Sequence, residues 1–364
     1  MKVRRPLQRQ FLFRAGKVLM PLLSRPRITG RENIPKTGPL IIVGNHSAYI
    51  EAVLMVLSMP APIELMASSD IPLRGSFTFL QGWYGFIGIN RGEIDRAGLK
   101  ETSDLLNAGG RVGIFPEGGV WDRRIGDARL GVAYVSQQTQ VPILPIGFGG
   151  LIGAIGKITH LQRPELFVNI GTVMPAVPTS DNYRERKALA QTASNQIMEA
   201  IYALVPANDE ISQLADRRES YDLTVTLTDA QGQPVVAPAD LAVPYGDDLS
   251  YFFYRPVLIS VVIDNMQRPA EALRQFGTVR DPARIAAAAA EALKVFAVEK
   301  PAFLSYRLGN QRGAHVIEGL RGLQKLAEWA TAQGAQMLVQ PKATFTYADG
   351  HVEQRDQPEA AHAR

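Results

Sequence analysis

Between residues 40 and 170 the chain returns again and again to one pattern. A short, mostly apolar run is followed by a stretch with helical character. The runs are Leu40–Val43, Ile87–Asn90, Val112–Phe115, Ile143–Ile146 and Leu166–Ile170. Apolar runs of this length, bounded by turn residues, read as strands covered on both faces. Helical text follows from about Ala48 to Leu57, and Gly109–Gly110 closes another helix. Ser180 or Asp181 is placed to cap a third helix that reaches about Val205 and stops at Pro206. Strands alternating with helices predict an α/β fold, a mostly parallel sheet flanked by helices. Pro142 and Pro145 bracket one strand, which predicts that it begins or borders the sheet.

The style changes after residue 206. Residues 207–220 are polar and charged and read as a linker. Leu223, Val225 and Leu227 then alternate with Thr224, Thr226 and Thr228, the pattern of a half-buried strand. Val257–Ile263 reads as a buried strand. Asp281 and Pro282 open a helix that continues through the alanine run 286–290. Phe303–Leu308, a helix near 315–333 and Ala343–Tyr347 complete a smaller α+β domain over 221–350, and 351–364 is a polar tail. No repeat of fixed period occurs. A chain of 364 residues has room for two such domains.

The charge is unevenly placed. The net +4 conceals a basic arm, residues 1–27, with eight basic residues and no acidic one. The remaining 337 residues carry 31 basic against 35 acidic side chains, a net of −4. That acidic body argues against nucleic acid as a partner. In the arm, Arg4, Arg5, Arg9, Arg14 and Lys17 interleave with Leu7, Phe11, Leu12, Phe13, Val18, Leu19, Leu22 and Leu23. This is the composition of an amphipathic helix lying on an anionic membrane surface. The competing reading is a helix packed on its own domain. Arg14 and Lys17 interrupt the apolar run that a signal peptide needs. No apolar run approaches the roughly 20 residues of a membrane-spanning helix. The cysteine count is zero, which excludes disulfides, thiolate metal sites and a cysteine nucleophile.

Four short blocks carry candidate chemistry. In Gly44-Asn45-His46-Ser47-Ala48-Tyr49-Ile50-Glu51, Glu51 is the only carboxylate, lysine or arginine between Lys36 and Glu64. An isolated carboxylate on an apolar helix needs a partner if it is buried. His46 is the nearest, provided that it lies in the turn ahead of the helix, because five helical residues would turn the two apart by roughly 140°. A carboxylate that fixes the tautomer of a histidine base serves to activate a hydroxyl. The second block ends a strand in Arg91-Gly92, a guanidinium fork suited to phosphate or carboxylate. The third, Phe115-Pro116-Glu117-Gly118, breaks a strand into a turn, with Arg123, Arg124 and Arg129 downstream. The fourth is Val141-Pro142-Ile143.

Taken in order, these blocks resemble the lysophosphatidic acid acyltransferase family of glycerolipid acyltransferases. The histidine and the acid five residues on are followed about 45 residues later by Arg91-Gly92, then by Phe115–Gly118 and by Val141–Ile143 about 25 residues apart. Glu32-Asn33-Ile34-Pro35 and Val168-Asn169-Ile170-Gly171 also look like that family. The resemblance covers about residues 28–206 and does not reach the C-terminal domain. It implies transfer of a fatty acyl group from an acyl thioester, on coenzyme A or acyl carrier protein, to a lysolipid hydroxyl, most directly that of lysophosphatidic acid. His46 is then the general base and Glu51 its orienting partner. Arg91, Gly92 and the Phe115, Pro116, Glu117, Gly118 loop would hold the phosphate of the acceptor, with Arg129 sharing it. Pro142 would line the acyl-chain side. The resemblance requires no metal and no bound cofactor, and it implies a peripheral protein on the cytoplasmic face of a membrane. Two positions depart from the family pattern: Glu51 stands where aspartate is usual, and Gly119-Val120-Trp121 replace the usual Thr-Arg-Ser. The lost arginine predicts a weaker preference for phosphate. Two other readings use the same residues: acylation of a non-phosphate lysolipid or glycolipid, and a catalytically weak lipid-binding module.

Overall fold

The computed structural model describes residues 6–72, 82–92, 95–118, 129–209 and 217–356. Val120, Trp121, Arg123 and Arg124 lie outside the described residues, as do Arg4 and Arg5 of the arm. Helix α1 (Pro6–Leu23) leads into β1 (Arg25–Thr29). Then come β2 (Leu40–Gly44), α2 (Ile50–Ser58), β3 (Glu64–Ser68), β4 (Ile87–Ile89), α3 (Arg96–Asn107) and β5 (Arg111–Ile114). They are followed by α4 (Gly131–Thr139), β6 (Ile143–Gly149), α5 (Ala154–Thr159), β7 (Glu165–Ile170) and α6 (Tyr183–Tyr202).

Among the described residues these strands form one seven-stranded sheet, in the order β1-β7-β6-β2-β5-β3-β4. Every neighbouring pair is parallel except β6–β7. The mostly parallel sheet flanked by helices is therefore present. Its centre is β2, whose Leu40, Ile41, Ile42 and Val43 are fully buried. Burying each such side chain contributes roughly 1.5–3 kcal/mol, which is why this run sits where both faces are covered. Pro145 falls inside β6, an interior strand, rather than at a border. It lies between the two stretches in which β6 pairs on its β7 side, Ile143 with Met174 and Ile146 with Ile170. The cap of α6 is Asn182, not Ser180 or Asp181; its side chain accepts hydrogen bonds from the backbone of Arg184 and Glu185.

The second unit contains β8 (Arg218–Thr228), α7 (Gly246–Phe253), α8 (Pro256–Ser260), α9 (Pro282–Leu293), α10 (Pro301–Leu308), α11 (Asn310–Ala332), β9 (Gln336–Thr346) and β10 (Val352–Arg355). The three strands form an antiparallel sheet, β10-β9-β8. Four expectations need correction. Val257–Ile263 is helical: α8 continues into a π-helical turn, Val261–Asn265. A short apolar run does not distinguish a buried strand from a buried helix, and Pro256 at the first helical position was the available signal. β8 begins at Arg218, inside the stretch read as linker, and β10 lies inside the polar tail. The arm ends earlier than expected, because Arg25–Thr29 is an edge strand paired with β7.

Helix α1 turns one of its charges inward, while Arg14 and Lys17 are exposed. Arg9 is buried, and its guanidinium forms a two-pronged pair with Glu64 of β3. It also donates to the carbonyls of Tyr84 and Gly85. Phe13 is buried on the same side, and Gly16 lets Leu57 of α2 approach: a Cβ there would lie 2.8 Å from the Leu57 Cδ2. Leu7, Phe11, Val18 and Leu22 point the other way and are exposed.

Candidate active site

The site gathers at the C-terminal ends of β2 and β5. β2 ends at Gly44, where a Cβ would come within 2.5 Å of the Phe148 ring. Asn45 is fully buried and ties the end of β2 to β6: its side chain donates to the Phe148 carbonyl (3.1 Å) and accepts from the Phe148 N–H (2.7 Å). The chain then bends through residues 46–49 before α2 begins at Ile50. His46 therefore lies in the turn ahead of the helix, the one position from which it can reach Glu51.

The two side chains meet. His46 Nδ1 lies 2.7 Å from Glu51 Oε1, which also accepts from the Ala48 N–H at 2.8 Å. Glu51 is fully buried, and its Oε2 has no hydrogen-bond partner among the described residues. A carboxylate only accepts, so this contact puts the imidazole proton on Nδ1 and leaves Nε2 with its lone pair. The imidazole stacks on Phe115, with centroids 4.2 Å apart and planes 18° apart, and 16% of the side chain is open. The dyad is a base held in one tautomer and one orientation.

The other expected residues divide. Glu117 is buried, and its Oε1 accepts from the His46 backbone N–H at 2.7 Å. It braces the histidine turn, a role the sequence did not suggest. Gly118 turns the chain with φ 74°, and the Pro116 carbonyl accepts from the Arg129 N–H. Arg91 lies near this turn, with Nη1 3.4 Å from the Gly118 carbonyl. Its fork is engaged by Asp70: Nε to Oδ1 is 2.9 Å and Nη2 to Oδ2 is 3.2 Å. Asp70 was missed because it stands alone in the sequence, 21 residues from its partner. Gly92 follows with φ 96°.

Two expectations are not met. Arg129 is exposed and faces the second unit; its guanidinium donates to the Tyr306 carbonyl and lies 4.5 Å from the centre of that ring. Pro142 does not join the site. It precedes the first residue of β6, and Ile143 is level with Ile41, near the start of β2, whereas His46 follows the end of β2. The length of β2 separates them, about 13 Å at 3.3 Å per residue. Proline is tolerated where a strand begins because its missing N–H costs no ladder bond, so the Val-Pro-Ile block is read here as structural. Among the described residues no three His, Cys, Asp or Glu side chains are grouped to hold a metal ion.

Residues 25–149 match the protein family described as Acyltransferase. Over 124 residues the chain is 31% identical to the 1-acyl-sn-glycerol-3-phosphate acyltransferase of Borreliella burgdorferi, covering 33% of this chain and 49% of that protein. Over 145 residues it is 26% identical to the enzyme of the same name from Bacillus subtilis, covering 39% of this chain and 71% of that one. The crystal structure of the 1-acyl-sn-glycerophosphate acyltransferase PlsC from Thermotoga maritima aligns with 55% of this chain and 83% of that chain, at 20% identity and a TM-score of 0.38. The chain spans about half the length of the Borreliella relative. Residues 25–149, which carry the His46–Glu51 pair, the Arg91 turn and the Phe115–Gly118 turn, belong to the acyltransferase family that includes the 1-acyl-sn-glycerol-3-phosphate acyltransferases.

Proposed function

We propose that this protein transfers a fatty acyl group from an acyl thioester, on coenzyme A or acyl carrier protein, to the free hydroxyl of a lysolipid, with lysophosphatidic acid as the acceptor. The observation that carries this reading is the His46–Glu51 dyad. Nε2 takes the proton of the acceptor hydroxyl as its oxygen attacks the thioester carbonyl. Glu51, buried beside the ring, stabilises the imidazolium that forms, and Phe115 keeps the ring plane fixed. Collapse of the tetrahedral intermediate expels the thiolate, to which His46 returns the proton. The transfer is direct: the sequence has no cysteine and no Gly-x-Ser-x-Gly elbow to carry an acyl-enzyme. The relatives' names supply the acceptor class.

The reaction takes place at a membrane surface in this proposal. The lysolipid acceptor and its acylated product reside there, and the outward stripe of α1 offers apolar side chains to it. The matching experiment follows release of free thiol from a labelled acyl thioester, with and without a panel of lysolipids. Wild-type protein is expected to consume thioester only when an acceptor is present. His46→Ala is expected to lose about 10²–10⁴-fold in kcat/KM. A folded His46→Ala protein with near-normal turnover would end this mechanism.

A further inference from the structure

The second unit does not stand clear of the site. Its helix α10 is fixed from behind. Phe303 and Leu304 are buried in the core of that unit, and Phe303 stacks on Phe296 with ring centres 5.6 Å apart. Gly313 of α11 lets the two helices close, since a Cβ there would lie 2.8 Å from the Ser305 backbone nitrogen. The helix then presents Ala302 and Tyr306, four residues apart and so on one face, to two glycine turns beside the dyad. A Cβ on Gly92 would approach the Ala302 Cβ to 2.9 Å, and one on Gly118 would approach the Tyr306 hydroxyl oxygen to 2.0 Å. That hydroxyl stands where a side chain at position 118 would be. From the other side the Arg129 guanidinium lies 4.5 Å from the centre of the Tyr306 ring and donates to the Tyr306 carbonyl. The loop after β3 adds a second fastening. Ile71 is buried in the core of the second unit and Asn265 donates to the Pro72 carbonyl at 2.6 Å, while Asp70 holds Arg91.

From Tyr306 a short run of contacts leads to the histidine. The ring lies between Gly118 and Arg129, and both residues belong to one closed turn: the Arg129 N–H donates to the Pro116 carbonyl at 2.8 Å, and the Gly118 N–H to the Phe115 carbonyl at 3.0 Å. Inside that turn, Phe115 is the ring on which His46 stacks, and Glu117 accepts from the His46 backbone N–H. Two of the contacts that hold His46 therefore come from a four-residue segment with Tyr306 against its end. A segment that ends in a glycine at φ 74° has no side chain there to pin it, so its position depends on what packs against it. The family match ends at residue 149 and says nothing of the second unit.

We infer that the C-terminal unit completes the active site from outside, with Tyr306 as a positioning residue that holds the Phe115–Gly118 turn and, through Phe115 and Glu117, the His46 base. Its effect on rate rests on the acyl-transfer reading, but half of its test needs no turnover. In the thiol-release assay with lysophosphatidic acid, Tyr306→Ala is expected to lower kcat about ten- to a hundredfold, the range for a base misplaced by up to about 1 Å, with KM little changed because Tyr306 acts through the turn. Tyr306→Phe keeps the ring and should recover most of that loss. Gly118→Ala should also lower kcat, because its methyl meets the hydroxyl. Adding Tyr306→Phe leaves Cζ as the nearest Tyr306 atom, at 3.2 Å, so the double variant should be at least about threefold faster than Gly118→Ala alone, a coupling expected only of residues in contact. Hydrogen exchange of the same proteins, read by mass spectrometry, should quicken in Tyr306→Ala over Gly44–Ile50 and Arg111–Gly118 and stay unchanged in α6. Should Tyr306→Ala not fold, the Gly118→Ala comparison decides alone. The inference is overturned by wild-type kcat and exchange in Tyr306→Ala, by faster exchange that extends to α6, or by a Gly118→Ala loss that Tyr306→Phe does not relieve. If wild type itself consumes no thioester, the acyl-transfer reading fails and the exchange result decides the positioning role by itself.

Discussion

Glu51 does two things with one oxygen. Oε1 orients His46 and also accepts from the Ala48 N–H, so the same carboxylate fixes the base and closes the turn that presents it. Charge and shape can be separated here. Glu51→Gln keeps the size and an acceptor oxygen but removes the charge that favours the imidazolium. Glu51→Asp keeps the charge and shortens the arm by one methylene. We expect the glutamine variant to lose at least about tenfold more in kcat/KM than the aspartate variant, within the range for general-base effects. Equal losses would reduce Glu51 to a structural polar group. Part of this was readable in advance: a lone carboxylate in a long uncharged stretch, with a histidine five residues back, specified both the pair and its turn. Glu117 was not readable, because its partner is a backbone N–H 71 residues away.

At the scale of elements, α1 shows how a basic segment can be misread from composition. Its charges were expected to face the membrane, yet Arg9 is directed inward and each of its donor groups is used on Glu64, Tyr84 or Gly85. The Arg9 guanidinium also lies 4.8 Å from the centre of the Tyr84 ring, whose hydroxyl donates to the Ile63 carbonyl. Removing one member of a buried pair strands the other, at a cost of about 3–5 kcal/mol. Arg9→Met should therefore lower the unfolding free energy by that order in urea titration, whereas Arg14→Met, on the exposed side, should change it by less than about 0.5 kcal/mol. Similar values for the two variants would mean that α1 is not seated by Arg9. Spacing alone does not carry such pairs, since Arg9 and Glu64 are 55 residues apart. The same reason hid Asp70 as the partner of Arg91. The α8 segment was hidden differently: six apolar residues around Ser260 fit a strand or a helix, and Pro256 ahead of them was the one local signal for the helix.

For the whole molecule, the sheet was the most legible feature, because central parallel strands must be apolar on both faces and so stand out as runs. The edge strand β1 and the short strand β3, next to the other edge, carry polar residues and did not. The association of the two units was not legible, since Gly92 and Ala302 of α10 meet across more than two hundred residues of sequence. Membrane contact is now a sharper prediction than a basic arm allowed. Deleting the arm would remove Arg9 and β1 and damage the fold, so point changes on the outer face are the cleaner test. Replacing Leu7, Phe11 and Leu22 by serine should leave thermal stability close to wild type, because these side chains are 84%, 63% and 62% exposed. It should weaken co-sedimentation with anionic vesicles, since the three apolar groups would no longer be buried among the acyl chains. Unchanged co-sedimentation would show that the stripe faces something else.

The placement of β1 also bears on how the chain assembles. Arg25–Thr29 finds its partner in Glu165–Asn169, so β1 waits for about 140 further residues before it can pair. Arg9 likewise waits 55 residues for Glu64 and 75 for Tyr84, and until they are made both faces of α1 are uncovered. Pairings this distant along the chain are slow to form, because the loop entropy must be overcome before any contact rewards it. During synthesis the segment of α1 and β1 thus stays uncovered until these partners are made. A surface that takes up its outer apolar stripe early would shield it through that interval.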